Sequence, residues 1–288
     1  MMRFSKTLTA LTALLGAGAA RAQDEVLSEL PLIGIPHDNG IAFQFAATEL
    51  AEDIHWLDSW LLVIITLIVI FVTGLLVWVA VKYNAKANPE PARFTHHSTL
   101  EVAWTIIPVL ILIGIGSMSL PILFKQVEIP EADVTIKTTG YQWYWGYEYP
   151  DHGIYFDSYM LAEDELEEYG YPPEANLLAT DTSMVVPVGQ VVRLQVTAAD
   201  VIHSWKIPAF GVHMDGVPGR LNETWFQVDE PGVYFGQCSE LCGISHSYMP
   251  ITVRAVPVEE YEAWIEAAIE VYASDDTVDP TIQLAAAQ

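Results

Sequence analysis

The 288-residue chain has only two cysteines, Cys238 and Cys242, and only 12 lysines and arginines. Two thiols exclude a multi-disulfide scaffold and leave the pair two uses, one disulfide or metal ligation. Twelve basic residues against 37 acidic ones give a net charge of −25. That balance argues against nucleic acid or an anionic lipid surface as a partner and favours a basic protein. Charged residues of either sign make up 17% of the chain, whereas 52% is hydrophobic. Such a composition is too apolar for an ordinary soluble protein and too polar for one with many membrane spans, so a mixed architecture is expected.

The charge-free stretches say where the apolar residues go. Arg3 and Lys6 precede a small-residue run with Leu8, Leu11, Leu14 and Leu15, closed by Ala20-Arg21-Ala22. Residues 1–22 are therefore expected to be a signal peptide, followed by an external segment over 23–56. Trp60 to Val81 and Val102 to Phe124 carry no charge. At about 1.5 Å per residue each is long enough for a hydrocarbon core of about 30 Å. Pro108 and Pro121 in the second run are tolerated in a membrane helix. The pattern predicts a transmembrane helical hairpin over 57–125. Its loop, 82–100, holds Lys82, Lys86 and Arg93, whereas Asp24 to Ser59 has no Lys or Arg. The basic loop belongs on the cytoplasmic side, which puts both flanking segments outside.

From Asp133 the pattern changes to short alternating, β-branched runs separated by Gly, Pro and Asp. In Val192–Val196, Val192, Leu194 and Val196 share one face and Arg193 and Gln195 the other, as in a sheet with one buried side. A β-sandwich or small barrel over 126–256 is expected, a two-sheet antiparallel core being the simplest form, with GYQWYWGYEYP on its first strand. The acidic stretch Glu163 to Glu174 interrupts the strands and reads as a solvated helix or loop. Residues 257–273 read as a C-terminal amphipathic helix and 274–288 as a tail.

The chemistry is concentrated in Cys238-Ser-Glu240-Leu-Cys242-Gly-Ile-Ser-His246-Ser-Tyr-Met249. A thiolate, an imidazole and a weak Met framed by strands is how single-copper electron-transfer sites are built. The second thiolate allows two ions to share both sulfurs, each with one imidazole and one weak donor. That arrangement needs a second histidine, and His203 in Val-Ile-His-Ser-Trp is the candidate; the weak donors would be Met249 and the Glu240 carbonyl. Two alternatives stay open. A Cys238–Cys242 disulfide closes a small loop and leaves His246 and Met249 unexplained. Zinc held by two Cys and two His usually has a tighter Cys pair and no use for Met249.

CSELCGISHSYMP, with VIHSW and VPGR upstream and GYQWYWGYEYP on the first strand, resembles subunit II of haem-copper cytochrome c oxidases. ARFTH and EVAWTIIPV in the hairpin extend the resemblance to roughly residues 56–256. It implies a cupredoxin-like domain holding a dinuclear copper centre, CuA, on His203, Cys238, Cys242, His246, Met249 and the Glu240 carbonyl. The Glu240 side chain would reach a magnesium ion at the boundary with subunit I, which alone carries haem and CuB. Trp143 would receive electrons from cytochrome c, docked on Glu148, Asp157, Asp181 and Asp200. Glu101 would stand at the mouth of a proton path. The resemblance further implies other oxidase subunits as partners and a bacterial inner membrane location, with the copper domain in the periplasm.

Each residue also has a plainer use. Trp143 suits aromatic packing across a sheet, and the four carboxylates suit a solvated surface. Ser98-Thr-Leu-Glu101 reads as a capping box in which Glu101 accepts from the Ser98 amide. His213 and Met214 are spare soft donors outside the matched set, and Arg220 reads as a surface residue with a haem propionate as its implied alternative. A quinol-oxidase subunit would share the hairpin and sandwich without needing the copper donors. A copper domain of the nitrous oxide reductase kind would share the Cys loop without the hairpin.

Overall fold

A computed structural model of the protein describes residues 30–273 except Asp38. The expected signal peptide and the 274–288 tail lie outside the described residues. Two units are present, one formed by the N-terminal residues to Glu52 and by Gln126 onward, the other by Asp53–Lys125.

Helices α1 (Glu49–Lys82) and α2 (Ser98–Val127) contain the two uncharged runs, and both are long and apolar enough to cross a membrane. Leu67, Phe71, Leu76, Leu112 and Ile113 point outward, which suits a surround that needs no hydrogen bonds because the helix satisfies its own backbone. Helix α1 starts eleven residues before its uncharged run. Its first turn is acidic, with Glu49 and Glu52, matching the positive N-terminal end of the helix dipole. Thr48 Oγ1 accepts from Ala51 N at 3.0 Å and caps that end. Asn84 closes the other end, its Nδ2 donating to the Ala80 and Val81 carbonyls.

The start of α2 corrects the expected capping box. His97, not Ser98, is the cap: its Nδ1 accepts from Leu100 N at 3.2 Å, and Glu101 Oε1 accepts from His97 N at 3.2 Å. The helix begins one residue earlier than the Ser-x-x-Glu spacing suggests, because an imidazole nitrogen serves as acceptor in place of a hydroxyl. Within the same unit Lys125 Nζ pairs with Asp53 Oδ2 at 2.7 Å.

The β domain has a five-stranded sheet in the order β3-β2-β1-β5-β8, a three-stranded sheet β4-β10-β9, and the hairpin β6-β7; the expected all-antiparallel pairing is corrected, because β1 runs parallel to β5 and β4 parallel to β10. The strands are β1 (Val134–Tyr141), β2 (Tyr144–Tyr149), β3 (Ile154–Ser158), β4 (Met184–Pro187), β5 (Val192–Ala198), β6 (His203–Ile207), β7 (Val212–Gly216), β8 (Asn222–Phe226), β9 (Gly232–Gln237) and β10 (Pro250–Val256). Strand β5 alternates buried and half-buried along its length, as its sequence pattern requires. GYQWYWGYEYP does not lie on one strand. It forms a hairpin that reverses at Gln142-Trp143, with Tyr141 paired to Tyr144.

Trp145, Tyr147, Trp205, Phe226 and Tyr234 fill the space between the sheets, all at most 1% exposed. Helix α3 (Val258–Tyr272) covers one edge, its Trp264 packing on Tyr149 with centroids 5.1 Å apart. The acidic insertion is more than a solvated loop. Leu161, Leu166, Tyr171, Ala175 and Ala179 form a second small core against Val233 and Phe235 of β9, while the carboxylates between them face outward. The segment before α1 is stitched to the sandwich: Ile33 N and Gly34 N donate to Val233 O at 3.1 Å, and Thr48 Oγ1 donates to Phe210 O.

Candidate metal centre

Strand β9 runs directly into Cys238. The chain then turns through Ser239–Ser245, makes one short helical turn over His246–Tyr248, and enters β10 after Met249. Ser239 N donates to Ser204 O at 3.0 Å, so this loop is tied to β6, whose first residue is His203. The two segments named from spacing therefore meet.

The donor atoms converge. Cys238 and Cys242 are free thiols with sulfurs 3.9 Å apart, against about 2.05 Å for a disulfide. Each imidazole addresses a different sulfur. His203 Nδ1 is 3.9 Å from Cys238 Sγ, and His246 Nδ1 is 3.5 Å from Cys242 Sγ. Met249 Sδ lies 3.5 Å from Cys242 Sγ, and the Glu240 carbonyl 3.3 Å from Cys238 Sγ. His203, Cys238, Cys242 and Met249 are 0%, 6%, 4% and 1% exposed. The ligand atoms of His203, Cys238 and Cys242 lie within 4.8 Å of one another, the one such grouping found among the described residues. His213 and Met214 are elsewhere, on β7, lining an open cleft of about 730 Å³ with Asp215 and Arg220.

The electrostatics of the thiols call for a cation. Burial raises Cys238, but hydrogen bonding from the His203 ring and nearby backbone outweighs it and brings the thiol down to about 7. Burial and the neighbouring Cys238 charge push Cys242 up to about 12. A buried thiolate pair is stable only with positive charge between the sulfurs, which a soft metal supplies. The grouping thus suits copper.

Asp200 was expected on a docking surface, yet the structure gives it a closer task. Its Oδ1 is 2.8 Å from His203 Nε2, the ring nitrogen facing away from Cys238. Its Oδ2 accepts the backbone N–H of Gln142 at 2.7 Å. A carboxylate on the outer nitrogen fixes the tautomer that leaves Nδ1 free as a donor. The Asp-x-x-His spacing was the signal that sequence reasoning left unused.

Trp143 sits half-buried on the hairpin turn. Its indole Nε1 and Gln142 Nε2 both donate to the Cys242 carbonyl, at 3.3 and 2.8 Å. Gly243 has φ +127°, and a Cβ there would meet the Trp143 ring at 2.9 Å, so glycine lets the ring lie on the loop. Beside it Tyr141, Tyr144 and Tyr159 stack at 4.7 and 4.6 Å. Asp157 accepts from the Tyr155 hydroxyl at 2.7 Å, and Asp181 accepts from Tyr159 N at 2.8 Å. Glu148 is already paired with Lys137 at 2.8 Å. The Glu240 side chain is exposed.

Comparison with known proteins follows the same division. Residues 134–256 match the family model described as cytochrome C oxidase subunit II, periplasmic domain, and residues 36–122 match that of its transmembrane domain. The chain is 55% identical over 285 residues to cytochrome c oxidase subunit 2 of Cereibacter sphaeroides, covering 93% of each. It is 47% identical over 237 residues to the probable cytochrome c oxidase subunit 2 of Rickettsia bellii, covering 82% of this chain and 87% of the relative. A crystal structure of the periplasmic domain of subunit II of cytochrome oxidase (CoxB) of Bradyrhizobium japonicum is 52% identical. It covers 51% of this chain and 100% of that one, with a TM-score of 0.46.

Proposed function

The chain belongs to the family of cytochrome c oxidase subunit II, and from that premise we propose that its clustered donors hold a dinuclear copper centre, CuA. Cys238, Cys242, His203, His246, Met249 and the Glu240 carbonyl would hold it. The observation that carries this reading is the pairing of each sulfur with its own imidazole nitrogen, at 3.9 and 3.5 Å, around sulfurs 3.9 Å apart. A single zinc would leave Met249 without a task, and a disulfide would leave both histidines without one.

When bound, the copper pair takes up and returns one electron at a time. The protein's residues hold and tune it. Asp200 orients His203, and Gln142 and Trp143 hold the Cys242 carbonyl. Trp143 is partly exposed and bonds directly to the donor loop at the Cys242 carbonyl, which supports it as the point where electrons arrive. A basic cytochrome c would dock on Asp157, Asp181, Asp200 and Glu148, steered by a segment with six basic and 27 acidic residues from Lys125 onward. Electrons would leave to a haem of subunit I, and the exposed Glu240 carboxylate would face a magnesium ion there.

With α1 and α2 spanning the bilayer and loop 82–100 in the cytoplasm, the β domain would stand in the periplasm of a bacterial inner membrane. Glu101, at the cytoplasmic end of α2, would then open a proton path toward subunit I. Glu101→Gln keeps an acceptor for His97 N. It should slow proton uptake without moving the melting temperature; uptake at the wild-type rate removes Glu101 from the path. Metal analysis of the full-length chain tests the main reading. Two coppers per chain are expected, and one zinc per chain would overturn it.

A further inference from the structure

Of the five buried or half-buried indoles in or beside the sandwich core, those of Trp143, Trp145, Trp205 and Trp264 use their N–H groups in different ways. Trp264 Nε1 is buried without a hydrogen-bond partner, and Trp205 Nε1 has only the Tyr147 hydroxyl near it, with no backbone carbonyl to hold. There the ring is used for bulk, and neither N–H holds a backbone carbonyl. The two indoles of the β1–β2 hairpin are used differently. Trp143 Nε1 donates to the carbonyl of Cys242, and Trp145 Nε1 donates to the carbonyl of Met249 at 3.3 Å.

Trp145 also touches the other donor segment. Its ring meets the His203 imidazole nearly edge-on, with centroids 6.0 Å apart and planes at 65°. One fully buried side chain therefore contacts two donor residues 46 positions apart in sequence. Met249 has particular need of such an anchor. It lies just outside the β9–β10 ladder, whose first pair is Pro250 with Gln237. Its unbranched side chain has three rotatable bonds, so the reach of its sulfur depends on where the backbone is held. The strength of a weak axial thioether is one of the levers on a copper site's reduction potential.

We propose that Trp145 is a positioning residue that sets the reduction potential of the copper centre, by holding the Met249 backbone through its indole N–H and the His203 ring by edge contact. The inference rests on the copper reading above. Loosening Met249 weakens its donation to the oxidised state more than to the reduced one, so the potential rises.

The test uses the full-length chain in detergent, loaded with copper. Two replacements are compared with the wild type: Trp145→Phe, and the isosteric benzothienylalanine at position 145, in which sulfur replaces the N–H and the ring shape is kept. The second removes the donor without opening a cavity, so it remains informative if Trp145→Phe fails to fold. Copper content, the copper EPR spectrum and the midpoint potential are measured. The expected result is two coppers per chain, an altered hyperfine pattern and an upward shift in potential for the isostere, with a larger shift for Trp145→Phe. An unchanged potential and spectrum in the isostere, with two coppers bound, overturns the role of Trp145 alone. A wild-type chain that holds no copper pair overturns the copper reading and this inference with it.

Discussion

Asp200 joins two parts of the centre with its two oxygens, Oδ1 to His203 Nε2 at 2.8 Å and Oδ2 to the Gln142 amide at 2.7 Å. The same carboxylate thus braces an imidazole donor and the turn that carries Trp143. The arrangement predicts that Asp200→Asn, with one acceptor oxygen for two donors, lowers copper affinity by about 10–100-fold. Competition with a chelator of known affinity measures it. If only the rate of cytochrome c association falls and copper affinity stays the same, Asp200 is a docking residue and nothing more.

Gly140 gives the His203 ring its place on β1. A Cβ at that position would meet the ring carbons at 2.8–2.9 Å, and both neighbours are fixed in a ladder. Gly140→Ala should destabilise the copper-free protein by about 1–3 kcal/mol through overpacking and reduce its copper content. Denaturant unfolding together with metal analysis checks this; wild-type stability and two coppers would show that the ring moves aside freely.

The two thiols, equally buried in sequence terms, should differ in reactivity. Cys238 is brought down to about 7 by the His203 ring and nearby backbone, against the effect of burial, and Cys242 is pushed up to about 12 by burial and its neighbour. Because the thiolate is the reactive form, iodoacetamide at neutral pH should modify Cys238 first in the copper-free protein. As pH falls below the Cys238 value its modification should slow, and as pH rises toward the Cys242 value the preference should narrow. Peptide mass spectrometry reads it directly, and Cys242 reacting first would reverse the assignment.

The four carboxylates proposed for docking should be unequal. Glu148 is paired with Lys137 at 2.8 Å, whereas Asp157 accepts from the neutral Tyr155 and Tyr159 hydroxyls and has no cation against it among the described residues. Asp157→Asn should slow association of a basic cytochrome c about fivefold at low salt, on the scale of about 1 kcal/mol for unit charges 4 Å apart in water. Glu148→Gln should do less. Stopped-flow rates across a salt series test both, and equal effects would discount the ion pair.

What the sequence made legible was whatever is written in local pattern. Uncharged runs located the helices, alternation located β5, and the spacing of Cys238, Cys242, His246 and Met249 located the centre. Contacts made across the fold were hidden. The hairpin turn at Gln142-Trp143 has no Gly, Pro, Asn or Asp to announce it, so two strands read as one. Helix α1 begins at Glu49 because Thr48 caps it, and both lie outside the apolar run. Trp145 and Trp205 look alike in sequence; only the fold gives one of them a carbonyl to hold.

Strand β9 is covered on both faces, by Tyr234 in the main core and by Val233 and Phe235 against the insertion's small core. It leads straight into the donor loop, where Leu241 and Ile244 are 77% and 89% exposed. A strand doubly covered belongs to the last part of a protein to exchange its amide hydrogens, and an exposed loop to the first. The donor loop should therefore exchange before the strand that carries it, first at the residues its bonds to Ser204, Gln142 and Trp143 do not hold.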